Sequence, residues 1–368
     1  MSLFRALASS VNGVVPITGN FQSEAALNSL AREALLAAID SGWADPKKIG
    51  QHPGKAAILR SNALSAIADR LGLSPDQIEV TGEVGLSYFL SLGGLLNSGK
   101  KLFYGAGDRS GVIATVRSHD GEIFEIPLSA DGRLNFATTQ FLANSVLAFQ
   151  LANGESGAIN DLPDQMPTDL LIAIDATASG ARIGLPEKWD TAAFDSRAWN
   201  GPAGLAIIAI NSAANWKNPL PHISAARRTY GTYSLPLLLA SAVALENFQP
   251  EEVATRELTE QFRSGIRSAI PDVLIAGDLK TSMPHLTSIV IPGVNGEELV
   301  RELDRQGFAV DSGSACTAMN LQPSHVLSAM GLPTDGNVRI AIHSETTSSE
   351  VAGLIKALVS AVQSQRQR

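Results

Sequence analysis

Apolar positions along the first two thirds of the chain alternate between a helical spacing and short continuous runs. Ser23–Ser41 and Lys55–Leu71 place apolar side chains three or four positions apart, the mark of amphipathic helices, and Gly72 closes the second. A short strand is expected at Ile78–Thr81 and a Leu- and Gly-rich helix at Val84–Leu96. Strand-like runs follow at Lys101–Tyr104, Ile123–Ile126, Ser145–Gln150, Leu170–Ile174 and the wholly apolar Leu205–Ile210. Continuous apolar strands are buried on both faces, so the pattern predicts a mostly parallel sheet covered by helices, an α/β domain. Ligands of such sheets sit beyond the carboxyl ends of the strands.

The pattern changes after the apolar helix that ends at Phe248. Gln249, Pro250, Glu251 and Glu252 form a polar break. A charged helix, Glu252–Ile270, runs up to Pro271. Strands at Ser288–Ile291, Ala309–Asp311 and Asn337–Ile342 then mix with helices at Glu297–Gln306 and Ser348–Gln363. We expect two domains. Residues 15–248 form the larger, and residues 249–368 together with 1–14 form a smaller α+β domain, with a frayed QSQRQR end.

Composition narrows the function. The 368 residues are 45% hydrophobic and 17% charged, with a net charge of −8. An acidic surface argues against broad nucleic-acid binding and against docking on an anionic membrane. The chain has no apolar run of about 18 residues, the length a membrane span needs. Its N-terminus does not read as a secretory signal. A single cysteine, Cys316, excludes an internal disulfide and fits a reducing cytoplasm. Six scattered histidines without ligand spacing argue against a zinc site.

The chemistry-bearing stretch is Val310–Gly331, VDSGSACTAMNLQPSHVLSAMG. A thiol on a Gly/Ser loop is mobile and exposed, whereas a lone cysteine elsewhere is commonly a small buried hydrophobe. A thiol-hydrolase nucleophile would need a histidine partner, for which His325 and His343 are nearest in sequence. The stretch resembles the cysteine loop of cysteine desulfurases, in which Gly-Ser-Ala-Cys precedes a Pro-Ser-x-Val-Leu helix start. Further resemblances lie in NVRIAIHSETT (337–347), LIAIDATASG (171–180), NGESGAIND (153–161) and RTYGT (228–232).

This resemblance to the cysteine desulfurase branch of the class V aminotransferases implies pyridoxal-phosphate fold-type I. That is a large domain with a mixed, mostly parallel sheet and a smaller C-terminal α+β domain, assembled as a homodimer. It implies that Cys316 is the persulfide-forming nucleophile and Arg339 the clamp on a small amino-acid substrate's carboxylate. Asp175 would face the ring nitrogen of the cofactor, Gly82 would open its phosphate-binding turn, and Thr232 would reach the phosphate of the partner's site. A sulfur-acceptor protein would complete the cycle. For Arg339 a surface ion pair, and for Asp175 a cap of the following turn, stand as alternatives.

The chain departs from the family pattern at linked positions. In DSRAWNGPAG (195–204) the Gly-Pro-x-Gly frame places Asp195 for the family's serine, Arg197 for its histidine and Ala198 for its lysine. A methyl group forms no Schiff base. Glu83 and Val84 stand in the phosphate turn, Arg109 at the stacking histidine, and Gly154 and Ala178 at the two amides beside the phenolic oxygen. Lys188 or Lys217 would have to substitute for the missing amine, and Arg109 with Arg197 could instead form an anion site. Two expectations follow: a desulfurase that uses another lysine or non-covalent cofactor, or a non-catalytic dimeric scaffold or sulfur-relay subunit.

Overall fold

The computed structural model describes residues 18–42, 44–96, 100–220, 233–250, 252–312 and 323–368. They form two compact units. One comprises Glu24–Pro250 with Lys280–Met283, and the other the chain up to Ser23 with Glu251–Leu279 and Pro284–Arg368. The first strand, β1 (Gly19–Phe21), belongs to the second unit.

The larger unit starts with α1 (Ser29–Asp40), six residues later than the periodicity predicts. The start is set by Asn28, whose Oδ1 accepts hydrogen bonds from the amides of Leu30 and Ala31 at 3.0 and 3.2 Å. The helix α2 (Gln51–Leu71) ends as expected at Gly72, left-handed at φ 68°. Then come β2 (Ile78–Thr81), α3 (Val84–Gly93), β3 (Lys101–Gly105), α4 (Ser110–Arg117), β4 (Ile123–Ile126), β5 (Ser145–Gln150), β6 (Leu171–Asp175), β7 (Thr191–Asp195), β8 (Ala206–Ile210) and α5 (Leu235–Glu246).

The seven strands form one sheet in the order β2-β8-β7-β6-β5-β3-β4. Only β8 runs against the others. Helices cover both faces, and β8 shows why its sequence is continuously apolar. Ile207 and Ala209 join the core beneath α2 and α5, while Ile208 and Ile210 join the core beneath α3 and α4. The mixed, mostly parallel α/β sheet matches the expectation. Strand β7 and helix α4 lacked a clear signal. The TAAFD sequence of β7 has few β-branched residues, and its place between β6 and β8 makes it a strand.

The smaller unit holds α6 (Glu252–Ala269), β9 (Leu274–Ala276), β10 (Leu286–Val290), α7 (Gly296–Arg305), β11 (Phe308–Val310), α8 (His325–Ala329), β12 (Asn337–Ala341) and α9 (Ser348–Arg366). Strands β12, β10 and β9 form an antiparallel sheet, and β1 pairs in parallel with β11. Phe262, Ile266, Leu299, Leu303, Val338, Leu354 and Leu358 fill the core between sheet and helices. The α9 start carries a reciprocal cap between Thr347 and Glu350. Its end corrects the expectation of a frayed tail. The helix continues to Arg366, whose Nη2 donates to Asp272 at 2.6 Å and to the Pro292 carbonyl at 2.9 Å. Among the described residues no helix is long and apolar enough to cross a membrane.

Candidate functional site

The parallel strands of the larger unit end in a cluster of buried polar side chains. Asp175 closes β6 and is 6% exposed. Its Oδ1 accepts from the Thr177 amide at 2.9 Å and from the Thr177 hydroxyl at 2.6 Å, so one oxygen does cap the following turn. Because that hydroxyl spends its only proton on Asp175, the Tyr88 phenol 2.6 Å away must donate to Thr177. Burial, and next the charge of Asp175, push the Tyr88 hydroxyl far above the ordinary tyrosine range.

The second oxygen of Asp175 has no hydrogen bond and lies 3.8 Å from Nε of Arg109, which also lacks one. Arg109 precedes α4, and its guanidinium reaches back over Gly154. A Cβ added at Gly154 would lie 2.5 Å from Nη2 of Arg109 and 3.5 Å from the Ala178 methyl. The guanidinium thus lies where a side chain at 154 would project, near the carboxylate.

Asp108, 2% exposed, accepts from the Gly105 amide at 2.9 Å. Burial holds its carboxyl well above the usual aspartate range, and neighbouring Asp175 raises it further. Gln150 ends β5 and accepts from Asn153 at 2.8 Å. Asn153 in turn accepts from the amides of Glu155 and Ser156 and donates to the Gly107 carbonyl. The 153–161 motif is therefore a hydrogen-bonded turn tied to the segment that follows β3. Tyr88, Asp108, Gln150 and Asp175 share a cavity of about 20 Å³, room for about one water. Tyr88 and Gln150 escaped sequence reasoning, because only the fold brings them beside Asp175, and Asp108 stood in the DRSGV motif (108–112) without an assigned part. Thr177 lay in a quoted motif without an assigned part.

At the β7 end, Asp195 accepts from the Arg197 backbone amide at 3.0 Å and from its guanidinium at 2.7 to 3.2 Å. Arg197 also pairs with Glu24. Arg109 and Arg197 each have carboxylate partners of their own, which removes the excess positive charge an anion site needs. Ala198 points its methyl at Gly180, where an added Cβ would lie 2.7 Å away, and its carbonyl accepts from Arg182 at 2.6 Å. Trp199, fully buried, anchors this turn by packing in the core, and its ring nitrogen donates to Ser241 at 3.3 Å.

At the start of α3 the Glu83 carboxylate accepts from the Leu86 amide at 2.7 Å, and Val84 opens the helix. A side chain at Gly82 would meet nothing within 4 Å. Lys188 and Lys217 lie at the opposite end of the sheet. Nζ of Lys188 donates to the Pro167 carbonyl ahead of β6 at 2.7 Å, and the Lys217 amide donates to Gly94 beyond the C-terminus of α3. A five-residue strand separates that end from Asp175 by roughly 16 Å.

In the smaller unit, Arg339 on β12 and Asp311 exchange two backbone hydrogen bonds, 2.8 and 3.1 Å long. Nη2 of Arg339 donates to Asp311 at 3.1 Å and to the Ser23 hydroxyl at 3.0 Å. The Ser23 amide and hydroxyl both donate to Asp311. Arg339 thus already holds a carboxylate of its own chain. Cys316 and Thr232 lie outside the described residues. Among the described residues no group of three His, Cys, Asp or Glu is placed to hold a metal ion.

Comparison with known proteins adds the family. The aminotransferase class-V family model matches residues 90–354, well over half of the chain. The cysteine desulfurase of Sinorhizobium fredii is 27% identical over 67% of this chain and 68% of its own length. The cysteine desulfurase NifS of Azotobacter vinelandii is 24% identical over 68% and 70%. Among solved structures, a NifS-like protein superposes with a TM-score of 0.82 at 19% identity, covering 94% of this chain and 99% of its own. The apo cysteine desulfurase of Thermococcus onnurineus superposes at 0.79 with 17% identity and 96% coverage of both chains. These likenesses fix the fold as that of the NifS-like enzymes. With the family model spanning both the β6 carboxyl end and β12, the chain belongs to the aminotransferase class-V family and is cysteine desulfurase-like.

Proposed function

We propose that this chain is a non-catalytic member of its family: a dimeric scaffold that does not run pyridoxal-phosphate chemistry and keeps Cys316 as a sulfur-accepting thiol. The family's chemistry depends on pyridoxal phosphate held by a lysine. One observation carries the reading: the residues at the carboxyl ends of β5 and β6 do not fit that group. The Arg109 guanidinium lies where a side chain at 154 would project, and its Nε is 3.8 Å from the carboxylate that would face the ring nitrogen.

Other features agree. Glu83 places a carboxylate on the Leu86 amide in the first turn of α3, where a phosphate would meet repulsion. Ala198 offers no amine; of the two lysines that could replace it, Lys188 has its amine bonded to Pro167 at the other end of the sheet, and the Lys217 backbone is bonded there to Gly94. Nη2 of Arg339 is bonded to Asp311 and Ser23, so the guanidinium already faces a carboxylate of its own chain.

In this reading the protein acts in the cytoplasm, and its partners are a second copy and a protein that gives or receives sulfur at Cys316. The surface for the second copy is the outer face of α1 and α2. There Leu30, Leu36, Ile39 and Ile58 are exposed and an apolar groove of about 740 Å³ runs between these helices and α5.

The deciding experiment mixes the purified protein with pyridoxal phosphate and then with L-cysteine. We expect no cofactor absorbance band and no sulfide. A bound-cofactor band together with sulfide release would overturn the proposal. Sedimentation of the wild type against an Ile39→Glu/Ile58→Glu variant checks the dimer.

A further inference from the structure

Gln150 and Asp175 are register partners on the parallel strands β5 and β6, so their side chains project side by side from one face of the sheet. They do not bond to each other. Each has a polar atom without a hydrogen-bond partner among the described residues, Nε2 of Gln150 and Oδ2 of Asp175. Both residues are buried, at 3% and 6% exposure.

The neighbours of Gln150 fix which of its side-chain atoms is the donor. Oδ1 of Asn153 accepts from the amides of Glu155 and Ser156 at 2.9 and 2.8 Å, so the other end of that side chain is its NH2 group. This group donates to the Gly107 carbonyl at 2.9 Å and to Gln150 at 2.8 Å. The Gln150 atom that faces it is therefore the oxygen. The amide nitrogen remains a buried donor, and a buried donor calls for an acceptor.

Small residues make room for one. Two positions back on the same face, Ala148 and Ala173 are also register partners, and with Ala193 of β7 they line the cavity of about 20 Å³ that Gln150 and Asp175 share. Ser91 of α3 lines it from the helix side. Its hydroxyl spends its proton on Thr191 at 2.9 Å and keeps the capacity to accept.

We propose that this cavity is a binding site for one ordered water molecule, which accepts from Nε2 of Gln150 and donates to Oδ2 of Asp175, with the Ser91 hydroxyl as its second acceptor. The chemistry restricts the occupant. Ammonium cannot accept the Gln150 proton, a halide ion cannot donate to Asp175, and the space suits one molecule of the size of water. The water gives Asp175 the hydrogen bond that Arg109, with Nε 3.8 Å away, does not. The inference goes beyond the non-catalytic reading and does not rest on it.

The first test is a crystal structure of the full wild-type chain at a resolution that shows ordered interior water. A density peak is expected within hydrogen-bond distance, about 3 Å, of both Nε2 of Gln150 and Oδ2 of Asp175. The second test compares the melting temperatures of Ala173→Ser and Ala173→Val. The serine hydroxyl can stand in for the water, whereas the valine methyl groups displace it and leave the Gln150 nitrogen without an acceptor. Ala173→Ser should therefore melt above Ala173→Val. A dry cavity reverses the order, because added methyl groups then fill empty space and a buried hydroxyl is the costlier addition. A map without that peak, or Ala173→Val melting above Ala173→Ser, would overturn the proposal. The non-catalytic reading fails separately, through a cofactor band in the wild-type protein.

Discussion

The Glu83 carboxylate accepts the Leu86 amide hydrogen at 2.7 Å, so α3 begins with its own anion in place. Three further amides of that first turn have no partner within the helix, a general property of helix starts. Glu83→Ala removes a side-chain cap and a favourable charge on the helix dipole, a loss of about 1 kcal/mol. Glu83→Gln keeps an acceptor and should lose less. Urea denaturation of the two variants beside the wild type measures both; equal stability of all three would contradict the capping role.

Gly94 closes α3 against Trp216, whose ring nitrogen donates to the Leu90 carbonyl at 2.8 Å. A methyl at 94 would overlap the indole nitrogen and crowd the same carbonyl. The backbone there is ordinary right-handed helix at φ −67°, so close approach and not conformation requires the glycine. Gly94→Ala should cost about 3 kcal/mol through overpacking. Circular dichroism melts should show a large fall, despite the higher helix propensity of alanine.

Asp108 carries a stability signature in pH. Its folded-state carboxyl titrates above the ordinary aspartate value, chiefly through burial. The native chain therefore keeps a proton that the unfolded chain has released. Stability from this group is fully present below the ordinary carboxylate range and is lost as pH rises through the folded value. Asp108→Asn keeps an acceptor for the Gly105 amide and removes the titration. Its stability should fall less than that of the wild type as pH rises from acid to neutral. Parallel curves across that range would refute the assignment.

Asp311 gathers Ser23 and Arg339 on one carboxylate, with both charged side chains no more than 20% exposed. Asp311→Ala leaves a largely buried guanidinium without its counter-charge and should cost about 3 kcal/mol. Arg339→Ala should cost less when Asp311 is already gone. A double-mutant cycle read by urea denaturation should give a coupling of about 1 kcal/mol or more. An additive cycle would mean that the ion pair does not hold the N-terminal segment.

The sequence by itself determined the helix-covered sheet and the family. Continuous apolar runs such as AIIAI at 206–210 leave no solvated face, and so require helices on both sides. The alignment of Ala198 with the family's lysine rests on resemblance at the Gly-Pro frame after Trp199. Local pattern could not place β7, because TAAFD is a strand only between two neighbours that supply its hydrogen bonds.

The site's meaning was decided only by tertiary structure. Sequence registered Arg109, Gly154, Ala178 and Asp175 as four separate departures or matches. The fold brings them together: a Cβ at Gly154 would meet both the Arg109 guanidinium and the Ala178 methyl, and Nε of Arg109 stands 3.8 Å from the buried Asp175 carboxylate. That relation spans three strand ends far apart in sequence. Which side chain fills which gap depends on distances of a few ångströms, and no linear spacing encodes them.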